Sequence, residues 1–319
     1  MGEWNKWVGE QYFEPWAESI RVYFEGADAI RLPVTDRRVL LTRTWDMPME
    51  DVLIVGLCVV FITALSVFFD RLVFIPIARL LRLREIDYGR FSETCWQLCF
   101  YGPMWLLSLA IVIDAPWFYE MWRCWEDPYP FIPMSNSIYW LFIIQMAWYF
   151  HCLIFHVLFD GRKSDFFVML THHIVAIALI YSAFNAGMMR VGVLTLFCMD
   201  VCDVFLHITK ILRFVDNVKP CMDIPMTASY IGVVISWVVF RLILFPWKVI
   251  YNVTVLGLHY AGWANVDYWI FGSIFLIVLY GLQLFWFFLI VQSGYKFVRY
   301  GEMDDDRDPT ARDAKHKQN

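Results

Sequence analysis

The sequence predicts an all-α polytopic membrane protein, with about seven transmembrane helices forming a bundle or barrel around an intramembrane cavity. Three observations carry this expectation. Hydrophobic residues make up 60% of the 319 and charged residues 18%, against about one quarter charged in an average soluble domain. The apolar residues are gathered in long runs without Asp, Glu, Lys or Arg, and a helix needs about 20 such residues to cross a hydrocarbon core about 30 Å thick. The few ionisable residues that interrupt these runs share helical faces, which is how membrane proteins line an interior site.

Residues 1–51 mix charge with aromatic residues (Trp4, Trp7, Tyr12, Phe13, Trp16, Tyr23, Phe24) and lack the layout of a signal peptide. They read as an interfacial, lumenal segment. Uncharged runs at 52–69, 94–113, 129–159, 166–189 and 268–295 predict five spans. Two more follow at 191–206, interrupted by Asp200 and Asp203, and 224–247, interrupted by Arg241. Residues 71–91 leave no room for a further domain, so 52–294 form one membrane domain, and 295–319 form an acidic tail. The net charge of −5 defines no partner, and no basic array marks a nucleic-acid surface. None of the eight cysteines forms a CxxC pair and six fall in expected spans, so no disulfide framework is indicated.

Seven spans place alternate loops on opposite sides. One side carries nine Lys and Arg: six in the N-terminal segment with Arg123, Arg190 and Lys248. The other carries sixteen, including six in the tail, and is expected to be cytosolic. The N-terminus is then lumenal and the C-terminus cytosolic. Asn252-Val253-Thr254 is the one glycosylation sequon and falls on the expected lumenal side, making Asn252 a candidate acceptor. Lys315 and Lys317, near the end of the tail, resemble a dilysine retrieval signal of the endoplasmic reticulum. An ordinary solvated tail is the alternative.

The stretch "MLTHHIVAIAL" places His172 and His173 side by side within an uncharged span. Ionisable groups at such depth mark a cavity, a relay or a site. The next span carries Asp200 and Asp203 three residues apart, with His207 continuing the same face. Asn185 and Gly187 supply a turn between the two spans. With Gly187 at the centre of an antiparallel hairpin, the histidine pair and the aspartate pair each lie about 22 Å from the turn, at equal depth. The site is expected towards the cytosolic half of the bilayer. A carboxylate beside an imidazole fixes its tautomer and raises its basicity. Adjacent helical residues point about 100° apart, so one histidine faces the reacting atoms while the other orients it or contacts substrate. Di-iron chemistry needs more histidines, at other spacings, than the seven here. A single zinc is disfavoured because neighbouring ligands on a straight helix diverge. No metal is expected.

The stretch "THHIVAIALIYSAFNAGMMRVGVLTLFCMDVCDVFLHITKIL" (171–212) resembles the Lag1 motif of the TLC-domain ceramide synthases, which pairs two histidines with a downstream D-x-x-D. The resemblance extends, in the family's order, through "RLVFIPIARLLRL" (71–83), "RFSETCWQLCFY" (90–101), "SIYWLFIIQMAWY" (137–149), "FDGRKSDF" (159–166), "RLILFPWKVIY" (241–251) and "YGLQLFWFFLIV" (280–291). Departures are Met199 where many synthases have histidine, Gln145 where an acid is expected, and the absence of a homeobox-like insertion.

The resemblance implies a TLC-type catalytic membrane domain over 52–294 that N-acylates a sphingoid base with a fatty acyl-CoA, giving ceramide or dihydroceramide. By the same resemblance His172 is the expected nucleophile or base, with His173 supporting and Asp200 and Asp203 tuning the pair. Asn185, Arg190, His207, Trp140 and Arg241 are the expected substrate contacts, Arg190 as an anchor at the lumenal mouth. No cofactor is expected beyond acyl-CoA as co-substrate. Expected partners are fatty acyl-CoA, the sphingoid base and membrane lipids, with a homo- or hetero-oligomer or a regulatory subunit as further candidates. The expected location is the endoplasmic reticulum membrane. The competing readings are a non-catalytic TLC-domain protein, translocon-associated or lipid-handling, and a proton-coupled transporter. The intact HH with D-x-x-D favours the enzyme, and no paired halves of the transporter kind are visible.

Overall fold

The computed structural model describes residues 47–126, 134–159, 165–216, 223–261 and 266–300. Most of the N-terminal segment, together with Lys315 and Lys317, lies outside these residues. Seven helices are long and apolar enough to cross a membrane: α1 (Met49–Leu80), α2 (Glu85–Val112), α3 (Asn136–Phe159), α4 (Phe166–Asn185), α5 (Met189–Asp216), α6 (Ile224–Gly257) and α7 (Trp269–Lys296). No strand occurs among the described residues. The seven expected spans are therefore all present.

Two helices form the core of the bundle. In their most apolar windows, 56% of α3 and 61% of α5 is buried, against 11–28% for the other five. From Leu141 to Tyr149 nearly every α3 side chain is buried, as is every α5 residue from Leu196 to Cys202. A helix apolar on all sides belongs at the centre. α5 packs most extensively against α2 and also against α4 and α6, while α3 packs against α1 and α4. The outer helix α1 turns Leu53, Leu57, Val60 and Phe61 outwards, an apolar face suited to lipid. It is fastened to α3 through Thr63 Oγ1 and His151 Nδ1, 2.9 Å apart, and by the Tyr139 hydroxyl donating to Asp51 at 2.7 Å.

Three boundaries differ from those expected. α1 continues beyond residue 69 through a π-helical turn, Asp70–Phe74, so Arg71 and Arg79 ride on helix instead of loop. The last helix is continuous over Val266–Tyr300, which takes six residues from the expected tail. The largest difference is α6, which continues to Gly257 and is π-helical over Trp237–Leu244 and Pro246–Gly257. Pro246 has no N–H to donate, and the wider i→i+5 bonding accommodates it without ending the helix. This corrects the reading of Asn252. It is fully buried within α6, with its Oδ1 accepting from Trp125 Nε1 at 2.7 Å and its amide nitrogen directed at Cys124 Sγ. A glycan on that nitrogen has no room in this fold.

The α4–α5 hairpin turns at Gly187, as expected, and its φ of 72° is the left-handed conformation that glycine adopts without penalty. At the same end of the bundle, two short helical turns, Pro116–Tyr119 and Met121–Trp125, cover α5 and α6. Lys248 Nζ donates to the Phe118 carbonyl at 2.8 Å, and the Arg190 guanidinium donates to the Arg123 carbonyl. Lys248 is thus a buried fastening within α6, where a loop residue was expected.

Gly192 lets α5 approach its neighbours: a Cβ there would meet Phe142 Cζ at 2.5 Å and Ala183 Cβ at 3.2 Å. Gly192→Ala should therefore lower the thermal midpoint of the purified chain, by an amount corresponding to the about 1–3 kcal/mol typical of overpacking. Gly56→Ala, where a Cβ meets nothing within 4 Å, should be neutral or slightly stabilising. Equal midpoints for the two variants would show that close helix approach is not what Gly192 provides.

Candidate active site

Helices α3 to α7 each contribute to one polar cluster inside the bundle. Asp203 Oδ2 lies 2.8 Å from Arg241 Nη2, joining α5 to the π-helical stretch of α6. The same Nη2 donates to the Met199 carbonyl at 2.8 Å, and Nη1 donates to Gln283 Oε1 on α7 at 2.9 Å. The guanidinium lies over the Trp237 ring, 4.1 Å from its centre, where the ring face supplies a further cation–π attraction. Arg241 is 4% exposed. Buried charges persist only when paired and hydrogen-bonded, and this one meets an acid, two oxygens and an aromatic face.

Asp200, one helical turn before Asp203, takes a different partner: Gln145 Nε2 on α3 donates to its Oδ2 at 2.6 Å, and both residues are 0% exposed. Tyr149, one turn further along α3, faces the histidines, its ring 6.0 Å from His172 and 6.3 Å from His173. Tyr149 is also within electrostatic reach of Asp200, Asp203 and Arg241. The structure thus gathers the histidine and aspartate pairs around one tyrosine, consistent with the equal depth expected of them.

The two histidines divide as their 100° offset requires. His173 is buried and sits 5.5 Å from the ring of His156, whose Nε2 is 2.9 Å from the Phe166 carbonyl. His172 is half-buried, packs edge-on against Trp286 of α7 at 5.1 Å, and leaves its Nδ1 without a hydrogen-bond partner. His207 continues the aspartate face and stacks on Tyr101 of α2, 5.6 Å apart and nearly parallel. The Tyr101 hydroxyl accepts from Trp148 Nε1 at 3.2 Å.

The direct carboxylate–imidazole contact expected from the sequence does not form. Arg241 holds Asp203, because a carboxylate gains more from a charged guanidinium than from a neutral ring, and Gln145 holds Asp200. Of the expected substrate contacts, Arg241 and His207 belong to the cluster. Trp140, Asn185 and Arg190 do not. Trp140 is 46% exposed on the outer face of α3. Asn185 donates to the Tyr181 carbonyl at the end of α4, and Arg190 is taken by Arg123. Asn185 lies twelve residues from His173, or about 18 Å along the helix. A small apolar pocket of about 50 Å³ near this end is lined by Phe142, Ile180, Met188, Gly192, Leu196 and Leu276 among others, and by none of the histidines or carboxylates. Among the described residues, no three His, Cys, Asp or Glu converge as metal ligands.

The reading of the sequence missed Tyr149, Gln283, Trp286 and the role of Gln145. The available signal was a glutamine followed by an aromatic residue at i+4 on α3 (Gln145, Tyr149) and at i+3 on α7 (Gln283, Trp286), within spans otherwise mostly apolar.

A family model described as the TLC domain matches residues 90–292, which contain every member of this cluster. Among similar proteins, ceramide synthase hyl-2 of Caenorhabditis elegans is 29% identical over 75% of this chain and 77% of its own length. Ceramide synthase 3 of Mus musculus is 30% identical over 68% of this chain and 55% of its own length. Ceramide synthase 3 of Homo sapiens is 30% identical over 64% of this chain and 51% of its own length. The chain spans about half the length of these two mammalian relatives.

Asp203→Asn removes the one acid that Arg241 contacts. Breaking a buried pair from one side costs about 3–5 kcal/mol, and removing both charges costs far less. Asp203→Asn should therefore lose most of its folded protein in a detergent heat challenge, and Asp203→Asn with Arg241→Gln should regain part of it. A single variant as heat-resistant as the native chain would show that the pair does not hold the bundle.

Proposed function

The chain belongs to the TLC-domain family, and from that membership we propose that it is a ceramide synthase, transferring a fatty acyl group from acyl-CoA to the amine of a sphingoid base. The observation that carries this reading is a half-buried His172 within a polar cluster deep in the bundle, in a chain 29–30% identical to proteins named ceramide synthases. The proposed setting is the endoplasmic reticulum membrane, with the N-terminus lumenal and the tail cytosolic.

The reaction forms a C–N bond and breaks a thioester C–S bond, whose electron pair leaves on the CoA sulfur. A sphingoid amine is mostly protonated at neutral pH, and an ammonium has no lone pair, so a base must act before attack. His172 is half-buried where His156, His173 and His207 are buried, and its Nδ1 makes no hydrogen bond to the protein. Two routes use it. It takes the proton of the attacking amine, which then protonates the leaving thiolate, or it attacks the thioester itself, and the amine resolves the acyl-imidazole. Neither route requires the carboxylates to touch the ring. Arg241 with Asp203 supplies a fixed dipole in a dry interior, where electrostatic interactions are stronger than in water. The aliphatic tails belong with the apolar bilayer.

His172→Ala should abolish ceramide formation in membranes while leaving a folded, extractable protein. Native protein given acyl-CoA without sphingoid base should gain one acyl mass if the ring is the nucleophile, and lose it on addition of the amine or hydroxylamine. No adduct under fast quench, with His172→Ala inactive, leaves His172 as the general base. A fully active His172→Ala protein would exclude both roles.

A further inference from the structure

Asp200 and Gln145 are both 0% exposed and face each other across the α3–α5 interface, with Gln145 Nε2 donating to Asp200 Oδ2 at 2.6 Å. Their other two oxygens, Asp200 Oδ1 and Gln145 Oε1, are both buried and both without a hydrogen-bond partner. If Asp200 were ionised, both atoms would be acceptors facing a shortage of donors. A proton on Oδ1 turns one of them into a donor, and the amide oxygen on the same carbon as Nε2 is the acceptor in want of it. One bond from Oδ1 to Oε1 would satisfy both orphaned oxygens and pair the two side chains in both directions.

Charge balance points the same way. The charged and titratable groups around Asp200 are Asp203 on its own helix, Tyr149 on α3, His172 and His173 on α4, and Arg241 on α6. Arg241 contacts Asp203 and donates otherwise to the oxygens of Met199 and Gln283. Its cationic charge is matched by one carboxylate, and a second would leave a net negative charge supported by one neutral amide donor. Taking a lone carboxylate out of water costs more than such a donor returns.

We infer that Asp200 carries its proton at neutral pH and forms a neutral acid–amide pair with Gln145, which makes Gln145 a positioning residue that fixes α5 against α3. The two aspartates then differ in kind: Asp203 is the anion of the cluster, and Asp200 is a neutral donor and acceptor. Tyr149 stands one turn from Gln145 on α3, so the pair also sets the position of the ring that contacts both histidines. The inference goes beyond the proposed acyl transfer and holds whichever reaction the histidines perform.

The test is infrared difference spectroscopy of the full chain in lipid vesicles at neutral pH. Subtracting the Asp200→Asn spectrum from the native one should show the C=O stretch of a protonated carboxylic acid, lost in the variant. That band should move to higher frequency in Gln145→Leu, where the acid has lost its amide acceptor. Asp200→Asn should fold with a midpoint near the native one, because an amide reproduces the donor and acceptor of a neutral acid. Exchanging the groups, Gln145→Glu with Asp200→Asn, should restore a protonated-acid band. Loss of an ionised-carboxylate band alone in Asp200→Asn, an unmoved band in Gln145→Leu, or failure of Asp200→Asn to fold would each overturn the inference.

Discussion

The ion pair between Asp203 and Arg241 is the constraint on which the rest of the site depends. A guanidinium inside an apolar bundle must be met on several sides at once, and the partners come from three helices: Asp203 and the Met199 carbonyl from α5, Gln283 from α7, the Trp237 ring from α6 itself. Satisfying one cation therefore fixes three helices relative to one another. Trp286 is one turn along α7 from Gln283 and rests on His172, so the registration imposed by the cation reaches the imidazole through packing. The histidine is placed by an aromatic wall, with the charged pair behind it.

The π-helical stretch of α6 belongs to the same arrangement. It runs through Arg241 and on past Pro246, and its buried positions include Trp237, Arg241, Lys248, Val249 and Asn252. π-helical turns recur at functional sites because they change which side chains share a face. Here one face carries the cation of the cluster at one level and the fastenings of the 116–125 cap at another. The cap and the site are thereby tied through one helix. The aromatic residues on α2 and α3 complete the interior: Phe100 stacks on Trp148 at 3.8 Å, and Tyr101 stacks on His207.

Much of this was legible in the sequence, and the limits have physical reasons. Five of the spans follow from length and charge exclusion and two more from apolar stretches interrupted by Asp200, Asp203 and Arg241, and the hairpin follows from Gly187, whose φ of 72° is the conformation that the turn reading required. The common level of the histidines and aspartates follows from counting residues about that turn. The register of α6 was not legible, because a stretch apolar on nearly every side carries no phase and Pro246 reads as a terminator. Asn252 shows this: by sequence its sequon follows the span, whereas the helix continues through it. The partners of the aspartates could not be read either. Proximity of His and Asp along the chain says which groups share a level, while the choice between imidazole, amide and guanidinium depends on how α3, α6 and α7 are rotated. Trp140 and Asn185 show the converse, since each lies on a helix of the site but at the wrong angle or depth to join it.

Under the proposed function, the chemistry is concentrated in one imidazole while the neighbouring charges hold the helices in place. The most direct test of that claim is to reconstitute the purified chain in lipid vesicles, supply a fatty acyl-CoA and sphinganine, and read the lipids by mass spectrometry. The expected product is N-acyl sphinganine, with stoichiometric release of free CoA thiol. A folded chain that leaves both substrates unchanged would contradict that function and favour a lipid-handling role for the same cluster.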